Sequence, residues 1–165
     1  MTSCDECGFQ YDSVPVADIG SALRSNAQML IDALSSGGEV RSRPEPDVWS
    51  PLEYACHVRD VMQIQIGRVA RGLAEETPSF EPMQREERPG RLRYNEQDPV
   101  VVREQVLDAA GALADVFDGL SQDQLARTVT YRWPVEMIRP LRWVGRHTVH
   151  ELVHHRGDIE RGLQH

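Results

Sequence analysis

The 165-residue sequence has no lysine, few aromatic residues, three cysteines and no long hydrophobic run. No apolar stretch approaches the ~18 residues of a membrane-spanning helix, and no basic-then-apolar leader begins the chain. We therefore expect neither a membrane span nor a secretory signal. Two cysteines close together and one alone do not make a disulfide framework, so a reducing, cytoplasmic setting is expected.

Positive charge is also scarce, and all of it comes from arginine. The 18 basic residues are outnumbered by 26 acidic ones, which gives a formal net charge of −8. Nucleic-acid phosphates require a basic surface, so this charge argues against a nucleic-acid partner. We attribute the exclusive use of arginine to a GC-rich genome.

Four amphipathic segments predict an all-α protein. Apolar residues recur with a 3.6-residue period in each segment, and the sequence SPLE at Ser50 adds a capping box with proline at the first helical position. The predicted helices span about 16–34, 51–74, 99–117 and 141–163. We predict one up-and-down four-helix bundle over residues 15–165, preceded by an N-terminal arm of residues 1–14.

Two connecting segments depart from this helical pattern. Residues 76–98 contain three prolines and many charges, and they are too long for a simple turn. We interpret them either as a solvated connector or as a gate beside the functional site, with Tyr94 as its polar aromatic contact. Residues 121–125 predict one short turn, and the sequence TVTYRWP after them predicts an extended segment.

Histidine is concentrated near the end of the chain, in the sequence RHTVHELVHHRGD. Side chains four residues apart lie on one face of a helix, so His150 pairs with His154, and Glu151 pairs with His155. Each pair can present two ligands to one metal ion. The string HELVH also matches the H-E-x-x-H signature of zinc proteases, but Glu160 stands where a metzincin has its third ligand and no sheet precedes the motif, which disfavours a protease.

Two stretches resemble the DinB/YfiT-like superfamily of metal-binding four-helix proteins. They are VWSPLEYACHVRDV, which leads to His57 on the second helix, and HHRGD on the last helix. The resemblance covers residues 16–163 and implies a metal triad of His57, Glu151 and His155. Many members have histidine in place of Glu151. The related mycothiol-dependent maleylpyruvate isomerases are more similar, because they have Glu-x-x-x-His followed by an aspartate, here Asp158.

The resemblance also implies a function. Three protein ligands would leave open positions on a divalent ion, with zinc expected and nickel as the alternative. Members of the superfamily are thought to transfer low-molecular-weight thiols such as mycothiol and bacillithiol. We therefore expect a catalytic centre of His57, Glu151 and His155 that acts on a small molecule, as a thiol S-transferase or a hydrolase. A non-catalytic metal-binding stress or sequestration protein is the alternative, and a homodimer is left open.

The N-terminal sequence CDECGFQYD poses a separate question. Cys4 and Cys7, followed by a glycine, resemble the first metal-binding knuckle of rubredoxin, but the chain has no second knuckle. We predict that His150 and His154 complete a Cys2His2 set for a structural zinc, because four protein ligands close a tetrahedral shell. Completion by Cys56, a redox-active Cys4–Cys7 pair and a disordered tail without metal are the alternatives.

Overall fold

Helices dominate the fold in the computed structural model, which describes residues 2–132 and 135–164. The helices of these residues are α1 (Ile19–Leu34), α2 (Pro51–Ala74), α3 (Arg88–Arg91), α4 (Pro99–Asp118), α5 (Gln122–Ala126) and α6 (Leu141–Gly162). The four long ones, α1, α2, α4 and α6, correspond to the four amphipathic segments of the sequence. None of the described helices is long and apolar enough to cross a membrane.

The starts of the long helices follow their capping residues. The Ser50 hydroxyl accepts a hydrogen bond from the Glu53 backbone N–H, and the Glu53 carboxylate accepts one from the Ser50 backbone N–H, so the predicted capping box is formed. Asp98 caps α4 with its carboxylate. A 3-10 turn over Val16–Asp18 precedes α1, whereas the apolar pattern predicted that the helix begins at Val16.

The predicted four-helix bundle is confirmed, but its neighbour order departs from a simple up-and-down arrangement, in which consecutive helices are neighbours. Here α1 packs against α4 and α6, and α2 packs against the same two helices. The first two long helices therefore lie diagonally opposite each other, and residues 35–50 connect them. The core between the helices includes fully buried leucines from all four: Leu23, Leu30, Leu52, Leu113 and Leu152.

A small three-stranded sheet accompanies the helices, which corrects the all-α prediction in detail. Its strands are β1 (Ser79–Phe80), β2 (Thr128–Tyr131) and β3 (Met137–Pro140), with β2 in the centre. β1 runs parallel to β2, and β3 runs antiparallel to it. The extended segment predicted for TVTYRWP is thus confirmed over β2, whereas Trp133 and Pro134 lie outside the described residues. β1 belongs to the long segment 76–98, and its pairing attaches this segment to β2.

The N-terminal arm, residues 2–14, is folded back on itself. Ser3 and Gln10 pair in an isolated antiparallel bridge. Between them Gly8 has a φ of +72°, a left-handed conformation that glycine adopts without strain. The arm is therefore a tight turn rather than an extended tail.

Contacts made by residues 11–14 hold the N-terminal arm on α6. Tyr11 is only 2% exposed, and its hydroxyl lies 3.0 Å from Nδ1 of His147. Arg146 donates a hydrogen bond to the Val14 carbonyl at 2.8 Å and pairs with Asp12 at 2.6 Å. The second half of the arm is thus anchored by its own aromatic and ionic contacts.

Candidate metal centres

Three side chains from the neighbouring helices α2 and α6 converge inside the bundle. His57 Nε2 lies 3.7 Å from Glu151 Oε2, and His155 Nε2 lies 3.5 Å from the same oxygen. One potential ligand atom of each residue lies within 4.8 Å of the other two, so a single ion can reach all three. Both histidines are buried, with exposures of 5% and 3%. The structure thus brings together the triad that the resemblance implied.

The charges of this triad suit a metal ion. Burial lowers the pKa of His57, which favours the neutral imidazole. Burial also opposes the ionisation of Glu151, but the nearby imidazoles of His150, His155 and His57 hold its pKa well below the usual value. A neutral imidazole and an ionised carboxylate are the forms that coordinate metals, so His57 and Glu151 need no large change in protonation to bind one.

Asp158 orients His155 from the side away from the triad. Its Oδ2 lies 2.7 Å from His155 Nδ1, and its other oxygen accepts a hydrogen bond from Arg161. Burial disfavours charge on His155, but hydrogen bonding with Asp158 and Glu151 raises its pKa. Because Nδ1 is engaged by the carboxylate, Nε2 is the nitrogen left to face the triad. A carboxylate behind the histidine is the usual outer contact of a metal-bound imidazole.

Aromatic rings pack against both histidines of the triad. The Trp49 ring lies 5.2 Å from the His57 ring, centre to centre, and the Tyr54 ring lies 5.2 Å from the His155 ring. Trp49 and Tyr54 also contact each other and are largely buried. The rings therefore restrict the orientations available to the two imidazoles, which preorganises the ligand set.

The triad borders a cavity of about 630 Å³, a volume within the range of small-molecule sites. Five parts of the chain form its wall: α2, α6, residues 80–87, the end of β2 with Arg132, and the arm with residues 3–6 and Tyr11. The sequence predicted only the first three as neighbours of the site. It did not predict the arm as a cavity wall, because the motif at Cys4 indicates metal ligands and carries no signal of a substrate surface.

The long segment 76–98 contributes to the cavity in its first half. Residues 80–87 line the cavity, as residues of α6 also do. Within them the Arg85 guanidinium lies 5.0 Å from the centre of the Trp49 ring, which itself contacts His57. The expectation that this segment lies beside the open metal position agrees with its placement, and its action as a gate stays a prediction.

The second half of the same segment is structural, and the prediction for Tyr94 is wrong. Tyr94 is fully buried and donates a 2.6 Å hydrogen bond to Asp60 Oδ2, which also accepts one from Arg88 at 2.8 Å. Arg59 donates to the other oxygen of Asp60 at 2.9 Å. Tyr94 is absent from the cavity wall because its hydroxyl satisfies this buried carboxylate.

The turn of the arm places Cys4 and Cys7 on the face of α6 that carries His150 and His154. One potential ligand atom from each of the four residues lies within 4.8 Å of the others. Cys4 Sγ is 3.8 Å from His154 Nδ1. The structure thus assembles the four predicted ligands of a Cys2His2 site, although they are separated by most of the chain.

The third cysteine belongs to neither cluster. Cys56 is fully buried in α2, where its sulfur faces the Tyr94 carbonyl at 3.8 Å and the Gln97 side chain at 3.7 Å. Burial raises its pKa to about 12, so it stays a thiol at neutral pH. The alternative in which Cys56 completes the N-terminal site is therefore wrong in this fold.

Two further sets of potential ligands overlap with these clusters. They are His147 with His150 and Glu151, and His154 with His155 and Asp158. The first set includes a histidine that already pairs with the Tyr11 hydroxyl. The second would break the hydrogen bond that orients His155. We therefore divide the ligands into the triad centre (His57, Glu151, His155) and the knuckle centre (Cys4, Cys7, His150, His154), which leave both interactions intact.

Comparison with known proteins agrees with the resemblance seen in the sequence. The family model of the DinB superfamily matches residues 21–159, and the chain belongs to that superfamily. No curated protein matches it. Among solved structures it is similar to YfiT from Bacillus subtilis, described as a probable metal-dependent hydrolase with an unusual four-helix bundle topology. That likeness covers 92% of this chain and 86% of the other, with 17% identity and a TM-score of 0.75, and it shows a shared fold.

Proposed function

We propose that the protein is a divalent-metal-dependent enzyme whose ion is held by His57, Glu151 and His155. The proposal is carried by one observation: three potential ligand atoms from two helices meet beside a cavity of about 630 Å³. Three protein ligands leave at least one coordination position for a molecule from the cavity. Two imidazoles and one carboxylate suit zinc, with nickel as the alternative.

The residues around the triad centre support this chemistry. A divalent ion, when bound, lowers the pKa of a water or thiol at its open position. Asp158 holds His155 in the tautomer that presents Nε2, and Glu151 supplies a negative charge. Trp49 packs against His57 and limits its rotation. These groups position the ligands before the substrate arrives, which is what an efficient site requires.

The nucleophile that we favour is a low-molecular-weight thiol such as mycothiol. The support is the resemblance to mycothiol-dependent isomerases, which extends over Glu151, His155 and Asp158. In the transfer, the thiol loses its proton, its sulfur forms a bond to an electrophilic carbon, and a leaving group departs with the electrons of the broken bond and takes up the proton. A cavity of about 630 Å³ is within the range that holds drug-sized ligands, and it leaves room for more than water beside the substrate.

Hydrolysis is the second candidate, and the structural similarity favours it. YfiT, which shares this fold, is described as a probable metal-dependent hydrolase. Water would then take the place of the thiol at the same open position. The two candidates share the triad centre and differ only in the nucleophile, so one set of variants serves to test both.

The cavity wall carries charges of both signs, because carboxylates line it together with three arginines; outside the triad centre these carboxylates are Asp5, Glu6, Glu81, Glu86 and Glu87. Arg68, Arg85 and Arg132 all line the cavity, and Arg132 is already paired with Glu81 at 2.7 Å. Arg68 donates to the Tyr131 hydroxyl and to the Glu81 carbonyl. Arg85 stacks over the Trp49 ring and is exposed. Among the described residues Arg85 forms no ion pair with these carboxylates, and we propose a small electrophile whose anionic group lies near it.

The test uses zinc-loaded protein and two substrate panels. Mycothiol is combined with a panel of small electrophiles, and a panel of esters and amides is offered without thiol, with products followed by mass spectrometry. Thiol-dependent products support the transferase, and products without thiol support the hydrolase. In either case His57→Ala should lose activity, while Cys56→Ala, which changes the adjacent buried residue, should keep it.

A non-catalytic role would give a different result in the same experiment. If protein with a full metal complement binds mycothiol or an electrophile but converts neither panel, the enzyme proposal is contradicted. The alternative of a metal-binding stress or sequestration protein would then be favoured. Binding is measured by calorimetry on the same zinc-loaded sample, so that a lack of turnover cannot be confused with a lack of metal.

A further inference from the structure

We propose that Cys4, Cys7, His150 and His154 bind a second, structural zinc ion that fastens the tip of the N-terminal arm to α6. This knuckle centre is distinct from the triad centre and uses none of its residues. Two thiolates and two imidazoles are a ligand set that zinc binds tetrahedrally. Because all four ligands come from the protein, no coordination position is left for a substrate, and the role is structural.

The distances agree with tetrahedral coordination by one ion. Zinc binds sulfur at about 2.3 Å and imidazole nitrogen at about 2.0 to 2.1 Å, so its ligand atoms are separated from one another by roughly 3.4 to 3.8 Å. Cys4 Sγ and His154 Nδ1 are 3.8 Å apart. All four potential ligand atoms lie within 4.8 Å of one another, so small side-chain rotations suffice to close the shell.

His150 supplies an independent sign that a ligand belongs here. Its side chain is 7% exposed, and neither ring nitrogen has a hydrogen-bond partner among the described residues. Nδ1 lies 3.4 Å from Glu151 Oε1, outside hydrogen-bond geometry. Buried polar atoms are rarely left without partners, because each such atom loses its hydration without compensation. A zinc ion would give His150 the partner that the protein does not provide.

The backbone of the arm is already shaped for the site. The Cys4 carbonyl accepts a hydrogen bond from the Gly8 N–H at 2.9 Å, and the Cys4 N–H donates to the Phe9 carbonyl at 2.9 Å. These bonds close the turn that carries both thiols. Phe9 then packs against the His150 ring at 5.5 Å between ring centres. The turn therefore presents the two thiols before any ion binds, which lowers the entropy cost of forming the site.

The alternative of a redox-active Cys4–Cys7 pair explains fewer of the observed side-chain positions than the zinc site does. A disulfide would use the two thiols, but it would leave both nitrogens of His150 without a partner. The zinc site uses all four side chains. It also explains why the thiols sit on this particular face of α6.

The site has a consequence for the neighbouring cavity. Tyr11 and Arg146 anchor the second half of the arm without metal, but the tip contacts α6 mainly through the knuckle centre and through Glu6, whose carboxylate lies 3.3 Å from His154. Residues 3–6 of this tip form part of the cavity wall. Loss of the zinc should therefore loosen one wall of the cavity while the triad centre stays intact.

Metal counting on purified full-length protein tests the proposal. Zinc-loaded protein should contain about two zinc ions per chain by elemental analysis, and Cys4→Ser and Cys7→Ser should each remove one. X-ray absorption at the zinc edge should show zinc–sulfur bonds near 2.3 Å that disappear in both variants. Cys56→Ala is the matched control, and it should keep both ions and the zinc–sulfur signal.

Thiol reactivity provides a test that needs no variant. In the zinc-loaded wild-type protein, modification of Cys4 and Cys7 by a mercurial reagent should release zinc in step with the loss of these two thiols, as followed with a chromogenic zinc indicator. Cys56 should react only after unfolding, because it is fully buried. A single zinc per chain that is unaffected by Cys4→Ser and Cys7→Ser, or thiol modification without zinc release, overturns the proposal. Neither result bears on the triad centre, whose metal depends on His57.

Discussion

The triad centre and the knuckle centre lie side by side on α6, yet we propose different tasks for them. Glu151 and His155 of the first alternate along the helix with His150 and His154 of the second, one residue and about 100° apart. The triad centre is buried, has three protein ligands and borders the cavity. The knuckle centre is nearer the surface, since Cys7 is exposed, and has four protein ligands. In our proposal the number of protein ligands, more than their type, makes the first centre open to a substrate and the second closed.

The largest effect is expected from removing a ligand of the triad centre. His57→Ala should lower activity by at least about 100-fold, because changes even in the outer contacts of a metal site reach that size. The same variant should lose one metal ion per chain and keep the zinc–sulfur signal of the knuckle centre. Activity and metal content are measured on the same samples. Full metal content in both His57→Ala and His155→Ala would show that the triad is not the metal site.

The sequence predicted the parts of this molecule that local patterns encode. The capping box at Ser50 predicted the start of α2, and the four-residue spacing of His150 and His154 predicted a shared helix face. The resemblance added His57 of α2, because residue spacing alone cannot show that this histidine shares a site with residues of α6. The first two features depend on residues within about one helical turn, and the third depends on a recognisable sequence motif.

Other features depend on contacts between distant segments and could not be predicted. An amphipathic stripe shows which face of a helix is buried but not which neighbour covers it, so the diagonal placement of α1 and α2 was missed. β1 is only two residues long and pairs with a strand about 50 residues away, at Thr130 and Tyr131. The role of Tyr94 depends on Asp60, which lies on another helix. Its aromatic and polar character fitted a substrate contact and a buried hydrogen bond equally well.

A smaller effect, confined to the triad centre, is expected from its outer contact. Asp158→Asn replaces the carboxylate that holds His155 and should weaken metal binding at the triad by about 10- to 100-fold. The knuckle centre should keep its ion, because its four ligands are unchanged and Asp158 Oδ2 lies 3.8 Å from His154 Nε2, beyond hydrogen-bond distance. Metal affinity is measured by competition with a chromogenic chelator. Glu160→Gln on the exposed side of α6 is the control, and equal losses from both centres would mean that they are not independent.

A still smaller effect is expected at the cavity wall. Arg85→Gln removes an exposed guanidinium and should raise KM for an anionic substrate about two- to fivefold, the range expected of an exposed ion pair, with kcat little changed. Metal content should not change at either centre. Arg91→Gln, an exposed change in the same segment but outside the cavity wall, is the matched control. If both variants behave alike, Arg85 does not contact the substrate.

The smallest effect on function is expected from the Tyr94 cluster, which has no part in either centre. Tyr94→Phe should lower the free energy of unfolding by about 1–3 kcal/mol, because Asp60 loses a buried hydrogen bond, while metal content and kinetics stay unchanged. Burial opposes the ionisation of Asp60, but hydrogen bonds from Tyr94 and Arg88 lower its pKa below the usual value. A carboxyl with a depressed pKa stabilises the fold above its unfolded value of about 3.9, and this contribution is lost as the pH falls through the folded pKa. The difference between wild type and Tyr94→Phe in urea unfolding should therefore be largest near neutral pH and shrink in acid. A difference that stays constant down to the lowest pH at which the protein folds would show that Asp60 is not the partner that matters.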